Sequence, residues 1–170
     1  DNIKIIIKDA GRTLIQIIDN GCGMSPKDAQ ICFERHATSK IKKSNDLFSI
    51  RTLGFRGEAM ASIAAIAHVE ITTKIKNQEL GTKIIIQGGD IKKQEECSTI
   101  NGTSIKVKNL FYNVPARRNF LKSDSIEVKH ITEEFIRIAL ANSNTNMELH
   151  HNDQMLFHLE SSNFRKRITN

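Results

Sequence analysis

Four short stretches combine residue types able to do chemistry. The first is Asp19-Asn20-Gly21-Cys22-Gly23-Met24, where an acidic residue leaves an apolar run and meets closely spaced glycines. A carboxylate so placed accepts a hydrogen bond from an exocyclic amine such as adenine's and repels a keto oxygen. Glycines beside it let backbone approach a ligand where a Cβ would collide. The same residues also make an ordinary strand-to-helix turn. The second stretch is Gly54-Phe55-Arg56-Gly57-Glu58-Ala59, glycines just ahead of an alanine-rich helical segment. The first amides and the dipole of such a helix favour a phosphate group. A tight helix start with a surface arginine is the plainer reading. It is not a P-loop, because no Gly-Lys-Ser/Thr ending occurs in the chain. The third, His36-Ala37-Thr38-Ser39-Lys40, sets hydroxyls beside an ammonium, a combination suited to phosphate oxygens and common on solvated surfaces. The fourth, Asn101-Gly102-Thr103, opens a strand with a hydroxyl able to reach a ligand lying across a sheet. Gly81-Thr82 repeats the Gly-Thr pair, so that pair alone carries little weight.

These residues need a scaffold, and bulk composition bounds it. The 170 residues suit one domain with 39% hydrophobic and 26% charged residues, the balance of a folded soluble protein. No apolar run reaches the length of a membrane span, and no basic-apolar-cleavage pattern marks a leader. Three cysteines at unrelated positions predict reduced thiols rather than a disulfide framework, and six scattered histidines predict no zinc site. The net charge of +6 favours a polyanionic partner, though the lysines are spread along the chain.

Periodicity supplies the elements. Isoleucine-rich runs at 3–8 and 13–18 flank Ala10-Gly11-Arg12 and predict a β-hairpin. Ser25-Pro26-Lys27-Asp28 supplies an N-cap, a proline in the first turn and an acidic residue for a helix over about 27–35. A long polar stretch from Ala37 to Leu53 predicts a long loop, of a length that makes it either a functional lid or disordered. A helix over about 58–67 follows, its small side chains permitting close approach to a sheet. Strands are predicted at about 68–75, 82–87, 91–96, 103–108, 146–151 and 155–160, with Gly88-Gly89-Asp90 as a hairpin turn. A short helix is expected at 115–121, and a longer one at 125–141 with Ile131, Phe135 and Ile138 as its apolar face. The whole predicts an α+β fold, a mixed and mainly antiparallel sheet with helices on one face.

Taken in order, these blocks resemble the GHKL ATPases, the superfamily of gyrase, Hsp90, histidine kinases and MutL. Four stretches carry the resemblance to its MutL-type mismatch repair members: DNGCGM, RHATSKI, LGFRGEA and NGTSIKVKNLFYNVPARR. The last of them holds Phe111-Tyr112-Asn113-Val114-Pro115-Ala116-Arg117-Arg118, a mark of the repair proteins rather than of the superfamily. The resemblance implies a two-layer α/β sandwich of the Bergerat type over residues 1–160, with 161–170 as a basic tail leading to a second domain.

It also implies roles. Asp19 would read the adenine amino group, Gly23 would give the base room and Met24 would wall it. Thr38, Ser39 and Lys40 would open a mobile ATP lid, and Gly54, Phe55, Arg56 and Gly57 would wrap the triphosphate. Thr103 would be the pocket threonine near the aspartate. The family's general-base glutamate and Mg²⁺-holding asparagine lie on a helix expected upstream of Asp1, so no catalytic or metal-binding residue is assigned within the chain. Glu58 is expected to cap a helix and not to replace that base. The parent protein would be a Mg²⁺-dependent ATPase whose ATP cycle drives homo- or heterodimerisation and engages DNA, mismatch recognition proteins and nuclease or helicase partners. Its place would be the cytoplasm of a bacterium, or the nucleus in a eukaryote, with no membrane association. A non-catalytic basic DNA-binding module is the alternative that the charge and Arg117-Arg118 allow.

Overall fold

The computed structural model describes residues 1–37, 54 and 56–169. Among them, eight strands form one sheet: β1 (Asn2–Lys8), β2 (Leu14–Asp19), β3 (His68–Lys74), β4 (Gly81–Gln87), β5 (Asp90–Cys97), β6 (Gly102–Lys108), β7 (Asn146–His151) and β8 (Gln154–Leu159). Their order is β5-β4-β3-β6-β2-β1-β7-β8. Only the β1–β7 pair is parallel. The helices are α1 (Pro26–Ile31), α2 (Ala59–Ile66), α3 (Pro115–Arg118), α4 (Asp124–Ala141) and α5 (Phe164–Thr169).

The register explains why five strands accept one another. Directly opposed residues share a face. Ile5, Ile17, Ile105, Ile71 and Ile84 therefore form a row of five isoleucines across β1, β2, β6, β3 and β4. Ile7, Ile15, Val107, Val69 and Ile86 form the next row. β-branched side chains pack well on such a pleated surface. The opposite face carries Lys4, Lys8, Lys106, Lys108, Lys83, Glu70 and Glu148, the polar side of a half-covered antiparallel sheet.

Two separate clusters cover the apolar face. Ala29 of α1, Phe33 just after it and Ala64 of α2 pack on Val69, Ile71, Ile84 and Ile86. Phe135 and Ala139 of α4 pack on Met147, Leu149 and Leu159. The central strand β2 lies between them, and its Ile17 remains 44% exposed while Ile71 and Ile84 of the same row are fully buried.

Several expectations need adjustment. Ile138 is 38% exposed, so the buried face of α4 is Ile131, Phe135 and Ala139, an i, i+4, i+8 stripe. The predicted β1–β2 hairpin forms, and its connection is a 3-10 turn over Asp9–Gly11 with Asp9 and Ala10 at φ 50° and 55°. Gly88 and Gly89 do close β4 onto β5, both at positive φ. α1 ends at Ile31 and α3 at Arg118, each shorter than predicted. The segment after Ser161, unassigned from sequence, forms α5. There Arg167 is 3% exposed and donates through Nη2 to the carbonyls of Ser143 (2.8 Å) and Thr145 (2.6 Å).

Candidate functional site

A third row runs along the rim of the apolar face: Asp19, Thr103, Thr73 and Thr82, directly opposed across β2, β6, β3 and β4. Each is two residues along its strand from an isoleucine of the central row, so the sheet's aliphatic floor ends in one carboxylate and three hydroxyls. Asp19 uses Oδ1 to accept from Gly21 N at 2.8 Å, which closes the turn over Asn20. Only part of its accepting capacity is thereby spent.

Thr73 is the hub of this rim and had been passed over in the sequence, where it sits mid-strand without flanking glycines. Its hydroxyl is buried, 3.0 Å from the Gly102 carbonyl and 3.1 Å from Thr103 Oγ1, and it accepts from Met24 N at 2.9 Å. One side chain thus ties the Asp19–Met24 turn to β3 and β6. Gly23, at φ 69°, lies so close to β3 that a Cβ would fall 2.1 Å from the Lys74 carbonyl oxygen. Only glycine fits there. Its missing side chain is needed to seat the turn on the sheet, a requirement separate from any room it leaves for a ligand.

The second glycine turn adjoins the same core. Met24 from the first turn, and Met60 and Ile63 from α2, pack against one cluster with Ala64 and Ile71. Gly57 at φ 65° would place a Cβ 2.2 Å from the Ala37 carbonyl, so this turn also touches the chain that leaves α1. Glu58 stands at the N-cap of α2, but its side chain makes no capping bond. It pairs instead with His36 Nδ1 at 3.1 Å and Arg56 Nε at 3.9 Å. No side chain of the N-cap residue therefore competes for the first amides of α2.

The structure thus brings Asp19, Gly23, Met24 and Thr103 together and sets Arg56 and Gly57 at the start of α2 on the same cluster. Gly54 is exposed ahead of them. Thr38, Ser39, Lys40 and Phe55 lie outside the described residues, as does the expected lid to Leu53. Among the described residues no group of three or more His, Cys, Asp or Glu is placed to hold a metal ion, and no helix is long and apolar enough to cross a membrane.

Comparison with known proteins gives the arrangement a family. Residues 1–117 match the model of the histidine kinase-, DNA gyrase B- and HSP90-like ATPases. The DNA mismatch repair protein MutL of Christiangramia forsetii is 61% identical over 168 residues, 99% of this chain and 27% of that protein. MutL of Flavobacterium psychrophilum is 59% identical over 99% of this chain and 28% of its own length. The chain thus spans about a quarter of these relatives. Among solved structures, the Aquifex aeolicus MutL ATPase domain complexed with ADP matches with a TM-score of 0.78 at 23% identity, covering 98% of this chain and 59% of that one. The N-terminal domain of a DNA repair protein matches at 0.76 and 29% identity, covering 99% of this chain and 51% of that one. The mainly antiparallel α+β sheet read from the strand pattern, and the two-layer sandwich that the resemblance implied, are thus the architecture of these domains, and the chain belongs to the histidine kinase-, DNA gyrase B- and HSP90-like ATPase family, resembling its MutL members along nearly its whole length.

Proposed function

We propose that this chain is the ATP-binding region of a MutL-type mismatch repair protein, with adenine held at the Asp19–Thr103–Thr73 rim and phosphates at the start of α2. The observation that carries the reading is the rim itself. A carboxylate with accepting capacity left beside a hydroxyl pair, fixed by the Met24 amide, offers adenine's amino group an acceptor and its ring nitrogens a donor. Met24 supplies an apolar wall, since it packs into the cluster beneath. Thr38, Ser39, Lys40, Gly54, Phe55, Arg56 and Gly57 then embrace the triphosphate, with the N-terminal amides of α2 turned toward its charge.

The described carboxylates do not gather into a metal site. In this reading Mg²⁺ would be held by the family's asparagine, and the attacking water would be activated by its glutamate, both on a helix packed against the sheet. The uncovered surface above Ile17, between the two helical clusters, suits such a helix. When bound, the metal would neutralise phosphate charge; the residues of this chain bind and orient the nucleotide. In the parent protein, ATP binding would promote homo- or heterodimerisation and engagement of DNA and of mismatch recognition, nuclease or helicase proteins. A bacterial cytoplasm fits the organisms of the relatives.

Asp19→Asn in the full-length protein tests the assignment by calorimetric titration with ATP. Replacing one acceptor by an amide donor facing adenine's amino group should weaken binding at least about tenfold, the scale of a lost charged hydrogen bond plus a repulsive contact. Unchanged affinity would remove Asp19 from the site.

A further inference from the structure

The FYNVPARR stretch, left without a role by the nucleotide site, holds the far end of the helix proposed to bind phosphate. A helix leaves its last carbonyls without internal partners. In α2 those of Ala64, Ala65 and Ile66 are all met from outside. Gly89 N donates to Ala64 O at 3.0 Å, Asn113 Nδ2 to Ala65 O at 2.9 Å and Phe111 N to Ile66 O at 2.8 Å. Two of the three donors belong to one loop. That loop is wound unusually tightly: Asn109 and Phe111 both adopt left-handed backbone, at φ 53° and 61°. Non-glycine residues hold such conformations only where surroundings over-determine them. Asn109 N and Leu110 N donate to Thr13 O and Arg12 O, Tyr112 N to Asn109 O and Val114 N to Phe111 O. The Tyr112 ring meets His68 at the start of β3 with centroids 4.1 Å apart. The loop is thus fixed to the β1–β2 turn and to β3, and presents its donors to α2 from a rigid base.

We infer that Asn113 is a positioning residue for triphosphate binding: by anchoring the C-terminal end of α2, it sets where the amides at the opposite end of this two-turn helix point. The helix spans eight residues, is uncapped by its N-cap side chain at one end, and has its last three carbonyls met by outside donors at the other. A displacement allowed at Ala65 is carried along a rigid rod to Ala59. Adenine recognition does not pass through this rod, because Asp19, Thr103 and Thr73 are fixed by β2, β6 and β3. The loop should therefore tune affinity for phosphates and leave affinity for the nucleoside alone.

The inference rests on the phosphate role proposed above for α2, and the experiment separates the two. In the full-length protein, Asn113→Ala removes the donor, and Asn113→Asp keeps the shape while turning an acceptor toward Ala65 O. ATP and adenosine are titrated against each variant, with Asp19→Asn as a control. We expect ATP affinity to fall about fivefold to tenfold in both Asn113 variants, the worth of roughly one hydrogen bond, while adenosine affinity stays within about twofold on the same scale. Asp19→Asn should weaken both ligands. If Asp19→Asn changes neither, the nucleotide reading itself fails. If Asp19→Asn acts but the Asn113 variants bind ATP as the wild type does, or lose ATP and adenosine equally, the positioning role is overturned. Should the variants not fold, hydrogen exchange on the wild type decides: saturating ATP should slow exchange of peptide 109–114 together with peptide 56–66, and protection of 56–66 alone would overturn the inference.

Discussion

The two halves of the sheet are built from different materials. On β1, β7 and β8, an eighteen-residue helix packs by bulk: Phe135 and Ala139 of α4 lie on Met147, Leu149 and Leu159, with Phe135 and Phe157 rings 5.5 Å apart. On β3, β4 and β6, the helices are six and eight residues long; they approach through Ala29 and Ala64, and the turn before the first of them seats on β3 through Gly23. Their ends are fixed by polar contacts, from Thr73 Oγ1 to Met24 N and from Asn113 to Ala65 O. The lesson is a division of labour. A large apolar contact is non-directional and proportional to area, so it stabilises without specifying exact positions. Small residues and buried hydroxyls stabilise less but place backbone amides and a carboxylate within narrow limits, as a binding site requires.

The sharpest way to break this division is to remove bulk from the first half. Phe135→Ala, at a site 3% exposed, should cost about 3–5 kcal/mol in urea denaturation, the range for truncating a buried aromatic. ATP affinity of the full-length protein measured under folding conditions should stay unchanged; a parallel loss of affinity would show that the halves are not separate. Gly23→Ala is the counterpart in the second half. A methyl group 2.1 Å from the Lys74 carbonyl must displace the Asp19–Met24 turn. We expect ATP binding to fall by at least about tenfold, near the value of a charged hydrogen bond lost from the site, with a smaller fall in stability than Phe135→Ala produces. Titration and denaturation of the same sample decide it.

Much of this contrast was legible in the sequence, and the reasons are local. Alternation of isoleucine with polar residues in β1 and β2 announces strands with one buried face, and DNGCGM announces a carboxylate beside a backbone that approaches closely. Thr103 was found because it follows Gly102 at the opening of a strand. Thr73 was not, because its value comes from lateral register: it stands opposite Thr103 across two strands about thirty positions apart in the chain. A period-2 pattern assigns a face but not a neighbour. The anchoring of α2 by Asn113, 48 positions downstream, was hidden for the same reason. Ile138 misled because i+7 from Ile131 is as good as i+8 in a pattern, and only the direction of the sheet chooses Ala139. α5 was missed since a six-residue basic segment has no periodic signal of its own; Arg167 forms its hold through backbone carbonyls.

Thr73→Val sharpens the comparison with a smaller effect. It keeps the β-branched shape of a fully buried residue and deletes the hydroxyl that serves Met24 N, Gly102 O and Thr103. Leaving the Met24 amide unmatched should cost about 1–3 kcal/mol. Because that amide belongs to the Asp19 turn, ATP affinity should fall as well, unlike the outcome for Phe135→Ala. A stability loss with intact affinity would reduce Thr73 to a packing residue.

The smallest effect belongs to Glu70, which shares β3 with Thr73 but faces the open side of the sheet. Burial pushes its carboxyl up, and hydrogen bonds and charge from Lys106 and Lys108, at 2.9 and 3.0 Å, outweigh that and hold it down at about 2 from an ordinary 4.5. Since the folded value lies below the unfolded one, this pairing stabilises the fold fully above about 4.5 and is lost as the pH falls toward 2. Both lysines are a third or more exposed, so solvent screening keeps the net contribution near 1 kcal/mol. Glu70→Gln should therefore lower stability by about that amount at pH 7 and by progressively less as the pH falls from 4.5, when the two proteins are compared by denaturation across the range. ATP affinity at pH 7 should be the same in both. If Glu70→Gln weakened ATP binding as Thr73→Val does, the site would depend on both faces of β3, and the contrast would lie between strands rather than between the materials that cover them.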